Sequence, residues 1–209
     1  MAFINFSSGE IQCKIVYYGP GLGGKTTNLQ FIYARTNDQI RGKMVSIDTK
    51  GDRTLFFDFL PLSLGSIRDF RVRVQLYTVP GQVHYNATRK LVLRGVDGIV
   101  FVADSMRQQR EKNIESLDNM IQNLKEWGMD PHEVPMVLQY NKRDLESGNV
   151  PILTVEEMQS DLNSSLKAPH FLASALKGPG VFPTLREISK LVVKDVSTKV
   201  LKKKAQGLP

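Results

Sequence analysis

The run Gly19-Pro20-Gly21-Leu22-Gly23-Gly24-Lys25-Thr26 matches the phosphate-binding loop pattern G-x-x-x-x-G-K-[S/T] and narrows the choice of folds more than any other feature of the chain. Such a loop works only between a strand and a helix. Its glycines let consecutive backbone N–H groups turn toward phosphate oxygens without a side chain in the way. The helix that follows offers its positive end to the same anion. Lys25 supplies a mobile cation for β- and γ-phosphates, and Thr26 a hydroxyl for Mg²⁺. The flanks fit this demand, because Ile11–Tyr18 is rich in β-formers and Thr26–Arg35 reads as a helix.

Strand and helix patterns alternate along the rest of the chain, the mark of an α/β fold. Arg53–Leu62 and Phe70–Val79 read as an antiparallel hairpin around the turn Ser63–Asp69. Gly98–Asp104 is nearly continuous hydrophobe, as a central parallel strand requires. Asn113–Trp127 has helical period, Pro135–Tyr140 reads as a buried strand, Thr154–Ser164 as a helix, Phe171–Ser174 as a short strand and Pro183–Lys203 as the last helix. Thr154 followed by Glu157 spells a capping box. Ala2–Phe6 can add an extra N-terminal edge strand. The expectation is a three-layer α/β fold over residues 1–209 as one domain, its sheet mostly parallel with one antiparallel hairpin strand.

Composition excludes several classes. The longest apolar run, Gly98–Ala103, is far short of a membrane span, and the first residues lack a basic, then apolar, signal-peptide pattern. Cys13 is the one cysteine, which rules out an internal disulfide and a cysteine metal cage; in a strand it reads as an inert core thiol. A cytoplasmic chain is expected. The net charge of +7 invites a nucleic-acid reading, but seven Lys/Arg against two Asp/Glu fall within Arg186–Pro209. The body is nearly balanced, so no nucleic-acid partner is expected. The plain reading of the tail is a helix end whose lysines complement its dipole; contact with acidic lipid headgroups or an acidic partner is the alternative. His84, His132 and His170 are scattered and read as structural.

A phosphate loop does not choose the base. Asn141-Lys142-Arg143-Asp144 follows directly on the strand Pro135–Tyr140. A carboxylate at a strand's end accepts two hydrogen bonds from the N1–H and exocyclic amine of guanine, a pair adenine does not offer. Asn141 can bond the other edge of the ring and tie this loop to the phosphate loop, while the Lys142 stem covers a ring face. Ser174 and Ala175, after the next strand, suit a further base-side loop, with the Ala175 amide facing the guanine carbonyl. Between the two motifs, Thr78-Val79-Pro80-Gly81-Gln82 places a glycine amide for a γ-phosphate and a glutamine for an attacking water.

Through these motifs the chain resembles the Ras-like small GTPases over nearly its whole length. More narrowly it resembles the bacterial mutual-gliding protein A family, through YYGPGLGGKTTNLQ (Tyr17–Gln30), DRTLFFDFLPLSLG (Asp52–Gly65), LYTVPGQVHY (Leu76–Tyr85) and QYNKRD (Gln139–Asp144). The resemblance implies a P-loop fold that binds GTP or GDP through Gly19, Gly21, Leu22, Gly23, Gly24, Lys25, Thr26, Thr27, Thr54, Gly81, Asn141, Lys142, Asp144, Ser174 and Ala175. It implies Mg²⁺ on Thr26 and Thr54, and catalysis by Lys25, Gln82 and Arg53, the last as an arginine finger supplied in cis. Arg53 read plainly is a surface cation on a strand edge. A roadblock-domain activating protein of the MglB kind, itself a homodimer, is the implied partner, with motility and polarity effectors, an exchange factor and a polar location in the GTP state.

Two departures stand out. Thr78 occupies the place where Ras-like proteins carry an aspartate, leaving Asp52 or Asp58 to supply the carboxylate; Leu176 replaces the usual lysine after Ser174-Ala175. Two other functions compete with the GTP switch. A metabolic P-loop kinase leaves the Asn141–Asp144 motif unexplained, and a non-hydrolysing GTP scaffold rests on Thr78.

Overall fold

In the computed structural model, residues 3–5, 8–48, 56–67 and 70–205 are described. Arg53 and Thr54, with Asp52, fall outside them. The elements are β1 (Phe3–Asn5), β2 (Glu10–Tyr18), α1 (Lys25–Arg35), β3 (Val45–Asp48), β4 (Phe56–Ile67), β5 (Phe70–Thr78), α2 (Asn86–Leu93), β6 (Gly98–Asp104), α3 (Arg110–Glu126), β7 (Met136–Asn141), α4 (Val155–Leu162), β8 (His170–Leu172) and α5 (Val181–Ala205). Among the described residues they build one sheet in the order β3-β4-β5-β2-β6-β7-β8, with β1 paired to β2.

The strands at the centre are those with unbroken apolar sequence. Every residue of β6 and of β7 is buried, as parallel strands covered on both faces must be. In β5 the alternation is strict on the inner face: Val72, Val74 and Leu76 are buried while Arg71 and Arg73 point to solvent. One apolar layer joins Ile15, Tyr17, Leu60 and Val102 to Leu29 and Ile32 of α1 and to Ile188 and Val192 of α5. The other joins Val16, Ile99 and Phe101 to Leu93 of α2, Leu117 and Met120 of α3 and Met158 of α4. Helices on both faces of the sheet complete the three-layer α/β architecture. α5 lies so close on β6 that a methyl at Gly98 would overlap Val192 Cγ2.

The antiparallel part is larger than the sequence pattern suggests. β4 runs through the residues expected to turn, pairing Ser66 with Arg71 and Ile67 with Phe70 across a register shift between Ser63 and Ser66. The bulge, with Gly65 at φ 91°, absorbs the turn-forming residues into the strand. Beyond it β3, which no period announced, pairs antiparallel to β4. β1 does not extend an outer edge. β5 already lies along Glu10–Gln12 of β2, and β6 joins β2 only from Ile15, so β1 fills the stretch of β2 that β6 leaves free. α2 was also unannounced: eight residues carry too few turns for a helical period to stand out.

The chain leaves β2 through α1 toward β5 on one side and returns from α2 to β6 on the other. Strand order therefore reverses beside the carboxyl end of β2, where open α/β sheets bind their ligands. The phosphate-loop motif starts at that end.

Candidate nucleotide site

The loop Gly19–Gly24 joins β2 to α1, as the motif requires. Gly24 has φ 99°, and a side chain there would overlap the Asn141 carboxamide. Lys25 opens α1 with 6% of its surface exposed, and its ammonium donates to the carbonyls of Gly19 at 3.0 Å and Pro20 at 2.7 Å. Burial pushes its pKa down to about 7, the charge of Arg89 adds to this, and Asp58 opposes it. A buried ammonium held by two neutral carbonyls suits an anion, which would stabilise its charged form. Leu22, at the apex, is 92% exposed with φ 60°, a conformation that side chains rarely adopt. Thr26 is exposed and Thr27 partly buried in the first turn of α1.

Beside Thr26 stands Asp58, one of the two aspartates expected to replace the carboxylate that Thr78 lacks; the other, Asp52, lies outside the described residues. Asp58, in β4 and 8% exposed, accepts from the Thr26 hydroxyl at 2.6 Å, from Ser46 at 2.7 Å and from Thr78 at 2.9 Å. The Asp58 N–H in turn donates to Thr78 Oγ1 at 2.8 Å. Thr78 thus holds, from the strand opposite, an aspartate that stands one strand away from the position a Ras-like chain uses. A buried carboxylate among hydroxyls fits a hard divalent cation, which prefers oxygen ligands.

Gly81 packs directly on the loop: a methyl at Gly81 would overlap Gly21 Cα. From Gly21, a methyl would lie 3.9 Å from Gln82 Cγ, so Gln82 stands next to the loop position expected to face a γ-phosphate.

The corner at the end of β7, where a base is expected, is tied by side chains. Asn141, at the end of β7 and 2% exposed, donates to the Gly23 carbonyl at 2.8 Å. The Ala175 amide, expected to face a guanine carbonyl, donates here to the Asn141 carboxamide oxygen at 2.8 Å. Lys142 sits at φ 66°, and its ammonium pairs with Asp104 at 2.6 Å, which holds the stem across the corner. The Asp144 carboxylate is partly buried and has no hydrogen-bond partner among the described residues. Ser174 shapes its loop by accepting from the Lys177 N–H at 3.0 Å. Leu176 is 75% exposed.

A buried polar chain beneath the site escaped the sequence reading. Asn28 of α1 donates to Gln139 of β7 at 2.8 Å, and Gln139 donates to Thr184 of α5 at 3.0 Å. Its only signal in sequence is a glutamine inside the otherwise apolar run of β7, a polar group that must find partners when buried.

The family model "Ras family" matches residues 14–194. The mutual gliding-motility protein MglA of Myxococcus xanthus is 58% identical over 94% of this chain and 98% of its own length. The Ras-related protein RABG3c of Arabidopsis thaliana is 25% identical over 90% of this chain and 86% of its own. The Ras-related protein Rab7 of Cenchrus ciliaris is 24% identical over 87% of this chain and 82% of its own.

Proposed function

The chain belongs to the Ras family, as a GTPase of the MglA branch, and from that premise we propose that it is a GTP-switched regulator of gliding motility and cell polarity in a bacterium. In this reading the GTP state recruits effectors and slow hydrolysis to GDP ends the signal. Asp58 carries the hydrolytic part of the proposal. Thr78 alone would argue for a scaffold that binds GTP without turning it over; a buried carboxylate on the Thr26 hydroxyl supports a site complete in charge.

The residues divide the work by position. Backbone amides of Gly19–Gly24 and the Lys25 ammonium hold β- and γ-phosphates. Thr26 and Thr54 would hold Mg²⁺, with Asp58 behind Thr26; when bound, the cation neutralises charge on the transferred phosphoryl group. Gly81 meets the γ-phosphate through its amide, and Gln82 orients the water. Asn141 braces the base loop and Asp144 reads the guanine edge. Arg53, next to Thr54 in sequence, acts as an arginine finger in cis once a partner docks on this face. A homodimeric roadblock-domain activator is the proposed partner, beside effectors and an exchange factor. The lysines ending α5 are the candidate contact with acidic lipid.

A nucleotide panel with a turnover assay tests the reading. GTP should bind and be hydrolysed while ATP is rejected, and Asp144→Asn should erase most of that preference by setting a donor against the guanine N1–H. Equal binding of ATP and GTP by the unaltered protein would refute guanine selection; GTP binding without turnover would leave the scaffold.

A further inference from the structure

Arg89, on α2, is the largest fully buried side chain of the described residues. A guanidinium carries a full positive charge, and burying one is costly unless a carboxylate answers it. Among the described residues none pairs with it. Its partners are neutral and come from two elements and the loop after β5. Nε donates to the Tyr18 hydroxyl at the end of β2 at 2.9 Å, Nη1 to the Gly81 carbonyl at 3.0 Å, and Nη2 to Ser116 Oγ on α3 at 2.8 Å. The guanidinium also lies over the Tyr18 ring, 4.4 Å from its centroid.

The Gly81 carbonyl makes this arrangement informative. It belongs to the peptide that joins Gly81 to Gln82, and a peptide is planar. Holding that oxygen therefore sets the direction of the Gln82 N–H and the point from which the Gln82 side chain starts. Gly81 itself is wedged against Gly21, so the peptide is gripped by the phosphate loop on one side and by Arg89 on the other. Tyr18 and Ser116 anchor the guanidinium to elements of the core.

We propose that Arg89 is a positioning residue for GTP hydrolysis: by fixing the plane of the Gly81–Gln82 peptide against the phosphate loop, it places the Gln82 carboxamide for the attacking water. The inference rests on the reading of Gln82 given above. Arginine suits the task because its planar fork reaches three acceptors at fixed angles, which a lysine cannot do.

A double-mutant cycle on the full chain with GTP and Mg²⁺ tests it, at a temperature where circular dichroism shows every variant folded. Single-turnover hydrolysis and GDP affinity are measured for Arg89→Lys, Gln82→Ala and the pair. Arg89→Lys should slow hydrolysis at least about tenfold, equivalent to about 1.4 kcal/mol, and leave GDP affinity within about twofold. The pair should be no slower than Gln82→Ala alone, since a residue acting through Gln82 has nothing left to position. If the two losses multiply, or if Arg89→Lys lowers the melting temperature and leaves hydrolysis unchanged, Arg89 is a strut of the fold and the inference is overturned. If Arg89→Lys does not fold, Ser116→Ala takes its place in the cycle with the same two outcomes. Unslowed hydrolysis in Gln82→Ala would instead remove the reading of Gln82 on which the proposal stands.

Discussion

At Gly21 the question is how much room remains. A methyl there would meet the Gly81 carbonyl carbon at 3.8 Å and Gln82 Cγ at 3.9 Å, both ordinary contacts. Alanine therefore fits, whereas the branched carbons of valine must enter the space of Gln82. Gly21→Val should keep nucleotide bound but slow single-turnover hydrolysis by at least about 100-fold, the order lost when one positioned group at the reacting centre is removed. Unchanged hydrolysis would show that Gln82 does not work where it stands. Asp58 presents a different balance, because its carboxylate accepts from three hydroxyls at once. Asparagine sets an N–H₂ against some of those donors and gives up the charge. Asp58→Asn should raise the Mg²⁺ concentration for half-maximal GTP turnover by at least about tenfold, the equivalent of about 1.4 kcal/mol; a Mg²⁺ titration of the turnover rate reads it directly.

At the scale of elements, the start of α4 shows how a local motif acquires a tertiary partner. Thr154 Oγ1 accepts from the Glu157 N–H at 3.1 Å, and Glu157 accepts in return from the Thr154 N–H at 2.8 Å, completing the capping box read from sequence. Arg107, far away in sequence, adds a bidentate pair to the same Glu157 carboxylate at 2.8 Å. The Arg107 hydrogen bonds foremost, then the Thr154 N–H, hold the Glu157 pKa down at about 2. A carboxylate whose pKa is depressed by folding contributes stability above its unfolded value, and that contribution fades as pH falls through the folded one. The stabilisation from Glu157 is therefore complete above about pH 4.5 and lost toward about pH 2. Urea unfolding should find Glu157→Gln less stable than the parent at pH 7, with a smaller gap at pH 3; a gap that does not narrow removes the carboxylate from the account.

Across the whole molecule, the β4–β5 hairpin joins the two segments proposed to meet the triphosphate. Its register pairs Phe59 with Tyr77 and so sets Asp58 beside Thr78. A slip by two residues would keep Leu60 and Leu62 on the inner face, because side chains alternate with period two. It would also move Asp58 by about 7 Å along the strand, away from Thr26. Structures with GDP and with a GTP analogue should differ by such a slip of the hairpin, and identical pairing in both would dispose of the idea. The source of the catalytic arginine is a separate question. Arg53 lies outside the described residues, and the expected outcome is functional: Arg53→Ala should bind GTP and the activating partner yet lose most of the stimulated rate, since an arginine finger is worth roughly 10³–10⁵ in rate. Full stimulation of Arg53→Ala in a phosphate-release assay would assign the finger elsewhere.

The loop between β2 and α1, the loop that follows β7 and the buried strands β6 and β7 were legible in the chain because each is local. A glycine-rich turn, a four-residue loop or a run of hydrophobes carries its meaning in consecutive residues. The same holds for the capping box at Thr154 and Glu157, whose spacing is its mechanism. What adjacency could not convey is which distant groups meet. From sequence, Asp52 and Asp58 stood equal as the carboxylate that Thr78 lacks; only the pairing of β4 with β5 put Asp58 on the hydroxyls of Thr26 and Thr78. The extension of β4 through Ser63–Ile67 and the strand β3 also depended on partners, since an edge strand gains its hydrogen bonds from a neighbour rather than from its own pattern. Arg89 is the sharpest case. In sequence it is one arginine in a short polar stretch, and its burial among Tyr18, Gly81 and Ser116 exists only because β2, α3 and the loop after β5 converge on it. Local chemistry decides what a segment can do, and long-range packing decides which segments do it together.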